Sequence, residues 1–186
     1  LTVRIRGTKL KAALERANLS VEQAAEAMAE PGFAKDDAAR AIRNWLAGRD
    51  HPRCRASRLK KLAGVVKADV KDLVAFTSQV RYHRGSPRKA GLLADLIRGK
   101  SVDQALNLLT FTTKKAAVNL KKCLNAAVSD AEQAECDVTR LFVAESRVDK
   151  APVIKRFQPK DRGRAHPILK PLSHITISVE ERPARG

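Results

Sequence analysis

The chain has 186 residues, room for one large or two small domains, and 37 Lys and Arg against 20 Asp and Glu leave a net charge of +17. That charge, with a pI near 10.4, points to a polyanionic partner, nucleic acid before an acidic membrane. No apolar run approaches the ~20 residues of a membrane span, and the opening LTVRIRGTKLKAAL contains no signal-peptide apolar region. The three cysteines, Cys54, Cys123 and Cys136, lack metal-ligand spacing and read as reduced thiols in a reducing compartment.

Residues 1–77 read as an all-α domain of five short helices. Leu10, Ala13, Leu14 and Ala17 share one face of the first. Ser20-Val21-Glu22-Gln23 is a capping box that opens the second, which buries Val21, Ala24, Ala25 and Met28 and stops near Pro31-Gly32. The third runs from about Lys35 to Ala47 with Ala38, Ile42, Trp45 and Leu46 inward, and Gly48 supplies its C-terminal signal. Ser57 to Ala63 and Asp69 to Phe76 complete the set, the last with Asp69 and Asp72 as caps. The order LERANLSVEQAAEAMA, AARAIRNWLAGRDHPR, LKKLAGVVKADVKDLVAF resembles the repressor-type helix-turn-helix domain. The resemblance implies a third helix that enters the DNA major groove. The residues at its start are Asp36, Asp37, Ala38 and Ala39, and two carboxylates repel phosphates. The residues themselves favour an accessory helical domain with Arg40, Arg43, Arg49, Arg53, Arg55 and Arg58 on a phosphate backbone, or a protein-contact module. The region holds sixteen basic and nine acidic residues, which is compatible with backbone binding.

Residues 78–186 change character. Gln79 to Arg84 reads as a short strand or extended basic lead, and Ser86-Pro87 starts a helix that buries Ala90, Leu93, Ala94 and Ile97 and ends at Gly99. Ser101-Val102-Asp103-Gln104 is a second capping box, followed by Val102, Ala105, Leu106 and Leu109 on one face. The longest helix begins near Thr112 and reaches about Gln133. Its apolar row of Ala116, Ala117, Leu120, Cys123, Leu124, Ala127, Val128 and Ala131 keeps a period of about 3.6 residues. Val138 to Ala144 and Leu172 to Glu181 alternate as strands, the second with Ile175, Ile177 and Val179 inward and His174, Thr176, Ser178 and Glu180 outward. The expected fold is α+β: three helices on a small antiparallel sheet, with a long arm at residues 145–172.

That arm carries the densest charge. Lys150, Lys155, Arg156, Lys160, Arg162, Arg164 and Lys170 stand against the single acid Asp161. A basic segment between two strands reads as an extended hairpin, reaching about 33 Å if ten residues run out and ten back at roughly 3.3 Å each. With little apolar surface it becomes ordered against something anionic. Pro159 and Pro167 are expected to interrupt regular pairing. Phe157 either stacks on a base or packs against the opposite strand of the hairpin.

SPRKAGLLADLIRGKSVDQALNLLTFTTKKAAVNLKKCLNAAV, then TRLFVAES, then IKRFQPKDRGRAHPILKPLSHITISVEE resemble the large-subunit ribosomal protein family L-twenty-two over residues 79–182. The resemblance implies a structural rRNA-binding protein with neighbouring large-subunit proteins as partners. Its hairpin tip, Ile154 to Arg164, would line the nascent-peptide exit tunnel and meet the nascent chain. The rRNA contacts expected on charge and resemblance together are Arg81, His83, Arg84, Arg88, Lys89, Arg98 and Lys100 ahead of and along the first helices, and Lys114 and Lys115. On the arm and its base they are Lys150, Lys155, Arg156, Phe157, Lys160, Arg162, Gly163, Arg164, Lys170 and His174.

No chemistry is expected. His51, His83, His166 and His174 are scattered without Cys or carboxylate partners at catalytic or metal spacing, and no glycine-rich phosphate loop is present. The expectation is a non-enzymatic protein of the ribosome, cytoplasmic or organellar, without cofactor, metal, membrane or small-molecule substrate. The alternative is a DNA-binding regulator acting through residues 1–77.

Overall fold

The computed structural model describes residues 3–182 and divides into two compact units. One runs to Phe76 and takes in Gln133–Cys136; the other comprises Thr77–Glu132 and the chain from Asp137 onward.

The first unit contains β1 (Val3–Ile5), α1 (Gly7–Arg16), α2 (Val21–Met28), α3 (Lys35–Leu46), α4 (Ala56–Val66), α5 (Val70–Leu73) and the start of β2 (Val74–His83). The Ser20 capping box forms: Gln23 N donates to Ser20 Oγ at 3.2 Å, and Ser20 N donates to Gln23 Oε1 at 2.9 Å. Leu10, Ala24, Met28, Ile42, Trp45 and Leu62 are fully buried, so the helical periodicity identifies the core face. Val21 and Leu46, expected inward, are only half-buried.

This unit is not all-α. Val74–Phe76, expected to close the fifth helix, instead pair antiparallel with Val3–Ile5, in the register Val3↔Phe76 and Ile5↔Val74. A single turn at Val70–Leu73 has no side-chain cap from Asp69. The β-branched residues on either side favour an extended chain once a partner strand supplies hydrogen bonds. That partner, three residues at the far end of the segment, lies below the length at which alternation is recognisable.

The second unit has the strand order β2-β4-β3, with α6 (Pro87–Ile97), α7 (Val102–Phe111), α8 (Ala116–Glu132), a 3-10 turn at Val138–Arg140, β3 (Leu141–Pro159) and β4 (Ala165–Glu181). Helices α6 and α8 pack on β3 and β4, and α7 packs against α8. Every apolar position expected along α8 is buried. Strand β3 begins at Leu141 rather than Val138, because Asp137 Oδ1 accepts from Thr139 N at 3.0 Å and from Thr139 Oγ1 at 2.7 Å, closing a turn first. Thr176 and Ser178 are not outward: both are buried along with Ile175, Ile177 and Val179. Strand β4 is central, with β2 on one side and β3 on the other. Its second face accommodates small hydroxyls, and Ser178 Oγ lies 2.7 Å from Thr77 Oγ1 of β2.

The loop after α6 fastens the helices to the sheet. Gly99 N donates to Val143 O at 2.8 Å, and Val143 N donates to Lys100 O at 2.9 Å. Because Leu120 is fully buried at the centre of the α8 row, Leu120→Ala is expected to lower unfolding stability by about 2–5 kcal/mol. Lys122→Ala, on an exposed position of the same helix, should change it by less than about 0.5 kcal/mol. Denaturant titration of both variants checks the difference, and equal losses would contradict the assigned core face.

Candidate nucleic-acid interface

The arm is a continuous antiparallel ladder of β3 and β4, from Leu141↔Glu181 at the base to Pro159↔Ala165 near the tip. Register is kept at Pro159 and Pro167, with Phe157↔Pro167 and Pro159↔Ala165 as partners, so the interruption expected at those two positions does not occur. An arm's prolines are tolerated because its strands have no third strand to satisfy. Register shifts at Val143/Glu145 and Ala151/Ile154 mark irregularities on the β3 side.

Beyond the second shift each partner pair shares a face. Ile154 with Lys170, Arg156 with Ile168 and Gln158 with His166 form one face. Lys155 with Leu169, Phe157 with Pro167 and Pro159 with Ala165 form the other. Beyond that shift, Lys155, Arg156 and Lys170 are each opposite an apolar residue, which avoids like-charge pairs at a separation of about 5 Å. The second face is more apolar than composition indicates. Leu169 is 61% exposed and Phe157 75%, so Phe157 is not packed away against its neighbouring strand.

At the tip, Lys160 N donates to Arg164 O at 2.6 Å and Arg164 N to Asp161 O at 3.2 Å. Arg162 and Gly163 both adopt left-handed backbone, at φ 53° and 70°. Glycine takes the second of these without steric cost, and the reversal leaves Lys160, Arg162 and Arg164 exposed together.

A second basic surface adjoins the arm's base. Arg84, Gly85 and Ser86 line a groove of about 430 Å³ with Ile154, Arg156 and Leu169–Leu172. The same three residues, with His83, Lys89, Leu92, Lys114, Lys115 and Ala116, line another of about 680 Å³. Side chains from β2, α6 and the segment before α8 thus converge, although 30 residues separate Arg84 from Lys114 in the chain. The lining of the larger groove combines the cations Arg84, Lys89, Lys114 and Lys115 with the apolar Leu92 and Ala116.

His83 organises this corner. It is 6% exposed, and Asn119 Nδ2 lies 2.6 Å from its Nδ1. A Cβ at position 85 would come within 2.6 Å of His83 Nε2, so Gly85 permits the backbone to pass over the ring. Burial, and secondarily the charge of Lys115, pushes the imidazole below its ordinary value of 6.5. His83 is therefore neutral at pH 7, and the groove's charge comes from Arg and Lys.

The remaining expected residues are distributed differently. Arg98 is engaged internally: its Nη2 and Nε donate to Ser146 O at 2.5 and 3.2 Å, and Nη2 lies 2.9 Å from Asp95 Oδ1. Lys100 lines a separate groove of about 520 Å³ with Gln104, Asn107, Leu108, Phe111 and Thr112. Arg88, Lys150 and Arg81 are exposed, and Arg81 Nε donates to Gln79 Oε1 at 3.0 Å. His174 Nδ1 accepts from Tyr82 N at 3.1 Å, and the two rings meet edge-on at 4.8 Å.

Tyr82, Asn119 and Leu92 are the residues that sequence reasoning missed. Tyr82 is 58% exposed at φ 55° in a strand otherwise extended. No local pattern announces that conformation, and Asn119 reads as an ordinary helix residue until the fold places it against His83.

These surfaces define a class: a basic protein whose projecting hairpin and cationic grooves suit a polyanion. Residues 78–180 match the sequence model of the family Ribosomal protein L22p/L17e. Over 106 residues the chain is 47% identical to the large ribosomal subunit protein uL22 of Syntrophotalea carbinolica (strain DSM 2380 / NBRC 103641 / GraBd1), covering 56% of this chain and 96% of that protein. The chain belongs to the ribosomal protein L22p/L17e family. It is a non-enzymatic, rRNA-binding structural protein of the large ribosomal subunit. The match gives no support to the alternative of a DNA-binding regulator.

A pH dependence follows from His83. Its folded-state pKa is depressed, so the unfolded chain binds a proton that the folded chain excludes. The contribution to stability is complete above about pH 6.5 and declines as pH falls below it, toward the lower folded value. His83→Gln is expected to flatten the stability profile between about pH 7 and 5 relative to the parent. An unchanged profile, measured by chemical denaturation at each pH, would show that His83 titrates normally.

Proposed function

We propose that residues 78–186 form the ribosomal body and that the arm, residues 145–172, staples segments of large-subunit rRNA. Lys155, Arg156, Lys160, Arg162 and Arg164 contact phosphates, and the tip from Ile154 to Arg164 extends into the nascent-peptide exit tunnel beside the growing chain. The hairpin itself supports this: it presents Lys155 and Arg156 as exposed side chains on paired backbone and Lys160, Arg162 and Arg164 as exposed side chains on the turn that closes it, with Asp161 as the only acid between residues 150 and 170. Charge of this kind on a projecting hairpin has no use within the protein. It can neutralise phosphates from several directions.

The grooves around Arg84 supply the second part of the reading. Cationic and apolar side chains in one groove suit a nucleotide, with lysines at the phosphate and Leu92 and Ala116 against the sugar or base. Phe157, exposed on the arm, is available for stacking on an unpaired base. Recognition of this type reads RNA shape and backbone. Neighbouring proteins of the subunit are further partners, and the place of action is the ribosome.

Substituting Lys155, Arg156, Lys160, Arg162 and Arg164 by Gln leaves the buried base of the ladder untouched. This variant should bind large-subunit rRNA more weakly. Its log K against log salt slope should fall by up to about 4, since each phosphate contact contributes about 0.7–0.9. Filter binding at several salt concentrations checks this, and a slope equal to the parent's would overturn the staple.

A further inference from the structure

The first unit's cations fall into two groups with different surroundings. Along residues 20–47, Lys35, Arg40 and Arg43 are outnumbered by Glu22, Glu26, Glu30, Asp36 and Asp37. Each of the three has an acidic neighbour: Lys35 Nζ lies 3.2 Å from Glu26, Arg40 Nη2 3.7 Å from Asp37 and Arg43 Nη2 3.8 Å from Glu22. A phosphate approaching the outer face of α2 and α3 meets a surface with an excess of carboxylates. Helix α3 is thus poorly suited to enter a groove of nucleic acid, despite the sequence resemblance of this region to a DNA reader.

Residues 48–61 present the opposite balance, with Arg49, Arg53, Arg55, Arg58, Lys60 and Lys61 against Asp50 alone. Two of these cations are engaged in contacts within the unit, and Arg53 is near enough to Asp50 for their charges to interact. The Arg58 guanidinium sits 3.8 Å over the Phe33 ring, and Lys61 is paired with Glu30. Arg49, Arg53 and Arg55 are exposed.

The backbone that carries these three arginines is firmly held. Arg4 Nη2 donates to Gly48 O at 2.9 Å, and Arg49 N to Asn44 O at 2.8 Å. Asn44 Nδ2 donates to His51 O at 2.9 Å, and Trp45 Nε1 to Pro52 O at 2.8 Å. Between Arg53 and Arg55, Cys54 is buried, which pushes its thiol up to about 12 and makes it an inert anchor. Three guanidiniums within seven residues therefore stand on a fixed frame, which reduces the ordering cost of binding.

We propose that this loop, through Arg49, Arg53 and Arg55, is a second rRNA-docking surface, gripping the phosphate backbone without reading bases. The proposal rests on the chain's membership of a ribosomal family, which supplies RNA as the polyanion. A protein partner is disfavoured by composition. Interfaces between proteins centre on aromatic and apolar anchors, yet the exposed large apolar side chains among the described residues all lie at position 82 or beyond. The planar fork of arginine also matches phosphate oxygens in pairs.

The test uses the full chain and large-subunit rRNA. R49Q/R53Q/R55Q should lower the log–log salt slope by about 2–3, while R40Q/R43Q leaves it at the parent value. R49K/R53K/R55K should retain most of the slope, because the charges remain. Equal thermal midpoints verify that the exposed substitutions leave the fold intact. If the loop variant keeps the parent slope while the Gln-substituted arm loses it, this proposal fails and the staple stands. If neither variant changes the slope, both fail. In intact subunits, photo-crosslinkers at positions 49 and 53 should join rRNA. Joining only to protein would overturn the proposal.

Discussion

The antiparallel pairing of β3 with β4 is the constraint on which the rest of the second unit depends. Near its base the ladder contributes Val143, Ile175, Ile177 and Val179 to the core beneath α6 and α8. Beyond Ala151↔Leu172 the same ladder continues with almost no core of its own. Hydrogen bonds between backbones do not care what the side chains are. The pairing can therefore be nucleated by burial at one end and used to carry charge at the other. A helix of equal charge would place like charges three and four residues apart on one face. The ladder instead sets Arg156 opposite Ile168, Lys155 opposite Leu169 and Lys170 opposite Ile154.

Anchoring at the base gives one of the basic residues a structural use. Arg98 bridges the end of α6 to Ser146 on β3 while meeting Asp95, so its guanidinium fixes helix to sheet. The backbone around Gly99 and Lys100 makes a reciprocal link to Val143. Positive charge in a basic protein thus has two uses. Where carboxylates or carbonyls lie within reach it organises the fold, and where they are absent it remains available to phosphate.

Much of this was legible in the sequence because helical periodicity is a strong signal over ten or more residues. The α8 row and the Ser20 cap could be read directly. The hairpin was legible from two alternating strands flanking a basic segment. What stayed hidden depends on distant partners. Val74–Phe76 have a helix-compatible composition until Val3–Ile5 pair with them. Thr176 and Ser178 look outward-facing because alternation assumes one wet face, whereas both faces of β4 are buried at these positions. Arg40 and Arg43 resemble phosphate ligands in a linear count, yet Arg40 has Asp37 one turn before it on α3, and packing of α3 on α2 brings Glu22 beside Arg43.

The neutral histidine in the basic groove bears on how such a surface responds to its surroundings. A protonated imidazole at His83 would add charge near Lys115 but would have to be desolvated beside it, and burial opposes this. Keeping the ring neutral leaves the groove's charge to Arg84, Lys89, Lys114 and Lys115. Electrostatic attraction of such cations for a phosphate weakens as ionic strength rises. For a protein held in a nucleoprotein particle, the pH response of His83 is then one of fold stability. The protein's hold on RNA responds instead to the salt that surrounds both.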